Sequence, residues 1–164
     1  MVSREMIEVT GTGQDNWVFD HVWPRLNVVL ERVIEDVKEQ VPEVRSLGHA
    51  SKRPENRFGV SVDFYDKDSA ADLVEHVGII ISCGTYIDSA RDTLDFIRTR
   101  ITCRSQVFEG SRERARSIVQ GPVLEFVLGN DERVRHSLDQ WVDATVSFLD
   151  RNTDVIIIEL MSDN

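Results

Sequence analysis

One row of apolar residues between positions 19 and 41 limits how this chain can fold. Its members recur at steps of three and four residues, which places them along one side of an α-helix and predicts a helix with a single buried face. They are Phe19, Val22, Trp23, Leu26, Val29, Leu30, Val33, Val37 and Val41. Pro24 lies in the first turn of this helix or kinks it, and Pro42 ends it.

Alternating apolar and polar residues after this helix predict a series of strands. We expect a strand over residues 44–50, a turn over 52–56 and a second strand over 58–65. A third strand over 73–83 is expected to return beside the second and to form a β-hairpin with it. The residues expected to face the core are Val60, Val62, Phe64, Val77, Ile79, Ile81 and Cys83.

The middle of the chain carries two competing patterns. Apolar spacing between residues 86 and 100 fits a helix, whereas the alternation from residue 97 onward fits a strand. We expect a helix to about residue 100 and an extended segment beyond it. Residues 110–117 are expected to be an exposed connection or a short helix, and residues 117–128 a strand.

A second helix is predicted after the segment Gly129-Asn130-Asp131-Glu132. A capping residue followed by two acids at the positive end of the helix dipole is typical of a helix start. We expect the helix to end at Asn152. Residues 155–160 are apolar and mostly β-branched, which predicts an interior strand. The residues that the helix is expected to bury are Val134, Leu138, Trp141, Val142, Thr145 and Leu149.

Together these elements predict an α+β fold in which a mainly antiparallel sheet packs against two long amphipathic helices. Neither a linker nor an internal repeat divides the sequence, so residues 1–164 are expected to form a single domain. Residues 1–15, which include Gly11 and Gly13, are expected to be a strand or a loose N-terminal arm.

Charge is the strongest functional signal in the composition. The chain has 29 Asp and Glu against 19 Lys and Arg, a formal net charge of -10. A field of this sign repels nucleic acid and anionic membranes, and it attracts basic partners. Apolar runs are too short to span a bilayer, and the N-terminal residues lack the pattern of a secretory signal. Two cysteines, Cys83 and Cys103, favour free thiols in a reducing cytoplasm.

Motifs that carry chemistry are weak. Gly11-Thr12-Gly13 lacks the remainder of a phosphate-binding loop. The histidines His21, His49, His76 and His136 do not have the spacing of a helical zinc pair. Serine and cysteine lack the surroundings of a catalytic nucleophile. We therefore expect no enzyme activity, no cofactor, no metal site and no catalytic residues.

Acidic residues, in contrast, form two local groups. Glu132, His136, Asp139, Asp143 and Asp150 recur at helical spacing and predict an acidic stripe opposite the buried face of the last helix. Asp63, Asp66, Asp68 and Asp72 form a second group near the hairpin. We expect these nine residues to contact a partner, because complementary fields speed encounter with a basic target. The segment from Arg91 to Arg116 is the opposite case, with seven arginines against four acids.

In size, charge and order of elements, the chain resembles the small acidic α+β immunity proteins of bacterial polymorphic-toxin systems. The resemblance implies an antitoxin that neutralises a basic toxin domain, such as a nuclease, through carboxylates that stand in for phosphates. The expected partner is thus a basic protein, and we expect the chain to bind neither nucleic acid nor membranes. The chain itself is expected to be a monomer or a homodimer.

Two other functions remain open. A small ligand or substrate could occupy a pocket near Asp63, His76 and Glu125. Alternatively, the chain could be an assembly or scaffold subunit, with exposed aromatic residues at Trp17, Trp23 and Phe108 as the contact.

Overall fold

The computed structural model of the protein describes residues 6–11, 16–65, 76–88, 96–109, 114–127 and 132–161. Its elements in chain order are β1 Ile7–Thr10, α1 Trp17–Gln40, β2 Arg45–Arg53, β3 Arg57–Tyr65, β4 His76–Asp88, β5 Phe96–Glu109, β6 Arg114–Phe126 and α2 Glu132–Met161. The strands form one sheet in the order β1-β2-β3-β4-β5-β6. β1 runs parallel to β2, and all other neighbours are antiparallel. The predicted α+β class is therefore confirmed.

The first helix and the predicted hairpin, which is formed by β3 and β4, lie where the sequence predicts them. α1 buries the predicted apolar residues at positions 19, 22, 26, 29, 30, 33 and 37. β3 and β4 pair antiparallel, with Val62 opposite Ile79 and Val60 opposite Ile81. Residues 7–10, within the segment expected to be a strand or a loose arm, form β1, and Ile7 is buried.

The helix expected over residues 86–100 is wrong wherever the structure describes this segment. β4 continues to Asp88 and β5 begins at Phe96, and the two strands pair from His76–Phe108 to Asp88–Phe96. Continuous cross-strand pairing satisfies the backbone of both segments, and this outweighs an apolar spacing that is ambiguous locally. The short helix considered within residues 110–117 is also wrong over 114–117, which belong to β6.

The end of the chain corrects a second prediction. α2 does not end at Asn152, and residues 155–160 are helical rather than an interior strand. Asn152 and Ile156 are both buried on the inner side of this helix. The strand preference of β-branched residues is weak compared with tertiary packing, so the helix and its buried side continue through residues 155–160.

Both helices pack on the same face of the sheet and share one core with it. Side chains on the strands alternate between this covered face and an open face, on which no described helix packs. The largest fully buried side chains include Leu26, Leu30 and Ile34 of α1, Phe64, Ile79, Ile81 and Ile101 of the sheet, and Leu138, Leu149 and Ile156 of α2.

Asn16 ties the start of α1 to the β2–β3 turn. Its side-chain oxygen accepts a hydrogen bond from the N–H of Phe19 at 3.0 Å, as a helix cap does. Its side-chain nitrogen donates to the carbonyl oxygens of Arg53 at 3.0 Å and Arg57 at 2.7 Å. In that turn Glu55 and Asn56 have φ angles of 62° and 58°, which are both in the left-handed region. The cap thus fixes the position of α1 on the sheet.

Candidate functional site

Basic residues of α1 pair with acidic residues of α2 in a regular series. His21 Nε2 lies 2.9 Å from Asp139 Oδ1, and Arg25 binds Asp143. Arg32 Nη2 binds both carboxylate oxygens of Asp150, at 2.7 and 3.0 Å. In each pair the two residues are 118 positions apart in the chain. A constant offset means that α1 and α2 run parallel, and we call these three pairs the interhelical ladder.

The ladder changes the meaning of the acidic stripe expected on α2. Asp139, Asp143 and Asp150 lie beside α1, where Arg25 offsets the charge of the first two and Arg32 that of the third. Each of these side chains remains at least half or nearly half exposed, so each pair stabilises the fold by only about 0.2–1 kcal/mol. Glu132 and His136 lie on the exposed surface of the first two turns of α2.

One helical turn beyond the last pair, the two facing positions of α1 and α2 both hold acids. Asp36 of α1 and Asp154 of α2 have the same offset as the ladder pairs. They line a groove of about 390 Å³ between the C-terminal parts of the two helices. Its lining residues are Asp36, Glu39, Gln40, Asp150, Thr153, Asp154 and Ile157. We call this the acidic groove.

Three acids of the acidic groove have no countercharge among the described residues. No ion pair there reaches Asp36, Glu39 or Asp154, whereas Asp150 is held by Arg32. Like charges across a partly enclosed groove repel each other, which makes the groove favourable for a cation.

Exposed apolar side chains lie on α2 directly beside this groove. Val155 is 50% exposed, Ile158 66% and Met161 60%. They are spaced three residues apart and therefore follow one side of the helix. We call them the apolar stripe. The solvent side of a helix is normally polar, and contiguous exposed apolar surface marks an interaction site.

The pocket expected around Asp63, His76 and Glu125 is only partly assembled. Asp63 Oδ1 lies 3.7 Å from His76 Nε2, and the ring of Tyr65 stacks on His76 with centroids 4.9 Å apart. Burial raises the pKa of Asp63, and the charge of His76 opposes this shift. The pKa of Tyr65 is also raised, first by burial and then by the charge of Asp63.

Glu125 does not join this cluster. It lies on β6, where its Oε1 accepts from Arg100 at 2.6 and 2.9 Å. Arg100 pairs with Gly84 of β4, six residues from Gly78, the partner of Asp63. That separation is about 20 Å along the strands, too far for a shared proton transfer.

The remaining candidates are placed as follows. Trp17 and Trp23 are half-buried against the core, with Trp23 stacked on Phe19. The side chain of Phe108 and residues Asp66, Asp68 and Asp72 lie outside the described part of the molecule.

Both cysteines face the core as free thiols. Burial raises the pKa of Cys83 and of Cys103 to about 12. A thiol with so high a pKa is a poor nucleophile at neutral pH.

No protein-family model, curated protein or solved structure matches the chain. Among the described residues, no three His, Cys, Asp or Glu side chains are grouped as metal ligands. Within the same ranges, neither helix is apolar over the length that crossing a bilayer requires.

Sequence reasoning missed the residues that now stand out. Asp36, Glu39 and Asp154 were not among the expected contacts, because the decisive feature is the missing base between them. A signal for the ladder was present: positions 21, 25 and 32 carry bases at steps of four and seven, and positions 139, 143 and 150 carry acids at the same steps.

Proposed function

We propose that this chain is a single-domain, cytoplasmic binding protein, with two amphipathic helices, that docks a basic segment of a protein partner in the acidic groove. The observation that carries the proposal is the end of the interhelical ladder at Asp36 and Asp154. An arginine from a partner can bind between these acids as Arg32 binds Asp150. Arginine suits this role because its guanidinium group binds carboxylates in a bidentate manner.

The apolar stripe supports the same occupant. Charge alone gives fast encounter but little net affinity, whereas apolar contact at the centre of an interface supplies most of the binding free energy. Val155, Ile158 and Met161 lie next to the acidic groove, so a partner segment with arginines beside apolar side chains would match both surfaces. The net charge of -10 favours encounter with such a partner.

Within this class, we favour an immunity protein that neutralises a toxin domain. A nuclease toxin presents a positive cleft to phosphates, and the carboxylates of the acidic groove would compete for that cleft. The function requires no catalytic group in this chain. Co-expression with the product of the adjacent gene tests this choice: restored growth supports it, and a harmless product or unrelieved toxicity contradicts it.

A peptide titration tests the docking surface itself. The probe is a synthetic amphipathic helical peptide with arginine and leucine on adjacent faces, and fluorescence anisotropy reports its binding to the full chain. Asp36→Asn with Asp154→Asn should weaken binding by about tenfold or more, because two charge-assisted hydrogen bonds are lost.

The control pair is Glu8→Gln with Glu55→Gln, which changes net charge by the same amount at two exposed positions far from the groove. It should weaken binding by less than about twofold, the effect of the general field alone. Equal losses in the two pairs would show that the peptide follows net charge, and the proposal would fail. A peptide with its leucines replaced by serine should also bind more weakly.

A further inference from the structure

The open face of the sheet has the opposite charge to the rest of the molecule. Alternation along β2, β3 and β5 places six arginines on this face, and the acids described there are Glu8, Asp63 and Glu125. The arginines are Arg45, Arg53, Arg57, Arg98, Arg100 and Arg104. A chain with a net charge of -10 therefore carries a local positive surface on the side away from its helices.

A shallow cavity of about 220 Å³ lies within this surface. Its lining residues include Ser51, Ser61, Ser82 and His49, together with the apolar Ile80. Ser51, Gly59 and Ser82 follow one another across three neighbouring strands, since Ser51 pairs with Gly59 and Gly59 with Ser82. The cavity thus offers small hydrogen-bonding groups on a rigid floor.

Two glycines leave space on this face: Gly59, which lines the cavity, and Gly84, which lies one open-face row beyond it. A Cβ atom added at Gly59 or at Gly84 would meet nothing within 4 Å, unlike one at Gly121, which would meet the carbonyl oxygen of Cys103 at 2.6 Å. Space above the strands is therefore available to a ligand at Gly59 and Gly84, and a ligand there can approach the backbone closely.

Arginines border this open space in the next cross-strand row. Arg53 pairs with Arg57, and Gly84 pairs with Arg100. Because Phe58 pairs with Cys83 in antiparallel strands, Arg57 lies opposite Gly84 at the next position. Arg53, Arg57, Gly84 and Arg100 therefore form one row across the sheet. Arg53 and Arg57 are exposed and form no ion pair with any described acid. On the other side of the cavity, in the row of Ser61 and Ile80, the Nε of Arg104 is buried without a hydrogen-bond partner among the described atoms.

We propose that this face binds a small phosphorylated molecule, with its phosphate groups between Arg53, Arg57 and the hydroxyls of Ser51 and Ser82. Guanidinium groups and hydroxyls are the donors that phosphate oxygens favour. The cavity is smaller than the roughly 300–1,000 Å³ of sites for larger ligands, which fits a compact anion. A long polyanion would meet the repulsion of the whole molecule, whereas a small ligand responds to the local field.

Binding of inorganic pyrophosphate to the full chain, followed by amide NMR shifts, tests the proposal. Saturable shifts are expected at Ser51, Gly59, Ser82 and Gly84. Arg53→Gln with Arg57→Gln should weaken binding by about tenfold or more, as expected when charged hydrogen bonds are lost. The same pair should leave the affinity for the amphipathic peptide within about twofold, because it lies away from the acidic groove.

The control pair is Arg133→Gln with Arg151→Gln on the exposed surface of α2. It makes the same charge change and should alter pyrophosphate binding by less than about twofold. The proposal is overturned if both pairs weaken binding equally, or if the shifts do not saturate. It is also overturned if a short oligodeoxythymidylate binds this face more tightly than pyrophosphate, since the ligand would then be nucleic acid.

Discussion

Arg32 binds both carboxylate oxygens of Asp150 at 2.7 and 3.0 Å, one turn before Asp36 and Asp154 line the acidic groove as two like charges. The same parallel helix pair therefore contains three acid–base pairs and, one turn further, two facing acids. The acid–base pairs hold the helices in register. Asp36 and Asp154 lie beside the apolar stripe, where a partner can reach them.

Replacing one groove acid with a base should complete the ladder. Asp154→Arg places a cation opposite Asp36 and four residues from Asp150, and we expect it to stabilise the free protein by about 0.5 kcal/mol. Urea unfolding measures this change. Asp143→Arg makes the same charge change but breaks the pair with Arg25, so it should destabilise the protein. Identical shifts in the two variants would contradict the ladder.

Asn16 should contribute more to the free energy of unfolding than an ordinary helix cap does. Asn16→Ala removes the cap and both hydrogen bonds to the β2–β3 turn, and we expect a loss of about 2–4 kcal/mol in the free energy of unfolding. Asn16→Asp keeps the acceptor for Phe19 but cannot donate to Arg53 and Arg57. Its second carboxylate oxygen would face these two carbonyl oxygens and be repelled by them, so this variant should be no more stable than Asn16→Ala. An aspartate variant as stable as the wild type would show that the turn contacts contribute nothing.

Two glycines on the sheet should respond differently to alanine. At Gly121 a Cβ would lie 2.6 Å from the carbonyl oxygen of Cys103 and 2.8 Å from the ring of Phe148. Such overpacking should destabilise the protein by about 1–3 kcal/mol. Gly84→Ala meets open space and should be neutral or slightly stabilising in thermal unfolding. A neutral Gly121→Ala would contradict this close approach of Gly121 to Cys103 and Phe148.

The buried thiols should be unreactive in the native state. With the pKa of both cysteines at about 12, the thiolate fraction at pH 8 is on the order of 10⁻⁴, so labelling by a thiol reagent should follow global unfolding. Between the unfolded value of 9.0 and about 12 the folded state binds more protons, and stability should fall as pH rises through this window. Native labelling as fast as labelling in denaturant would contradict this.

Local periodicity is enough to predict α1 and the β3–β4 hairpin, because both patterns are long and consistent. It fails where apolar, β-branched residues fit two periods. Residues 97–101 become strand through pairing with β4, whereas Ile156 becomes helical because α2 continues to pack on the core. In each case the deciding contact is distant in sequence.

The same limit applies to the candidate site. Local spacing identifies Asp139, Asp143 and Asp150 as one row, but their bases are 118 residues away. The matching steps of four and seven indicate pairing only if the two helices are parallel, and the local sequence does not show their relative direction. The acidic groove is harder still to predict, since it is defined by a base that is missing.

A double-mutant cycle between Asp36 and an arginine of the bound peptide measures whether that arginine pairs with Asp36. Asp36→Asn and replacement of that arginine by glutamine are made singly and together, and peptide affinity is measured by anisotropy. If the arginine completes the ladder, the two changes should show a coupling free energy of at least about 1 kcal/mol. Additive losses for every arginine of the peptide would contradict the account.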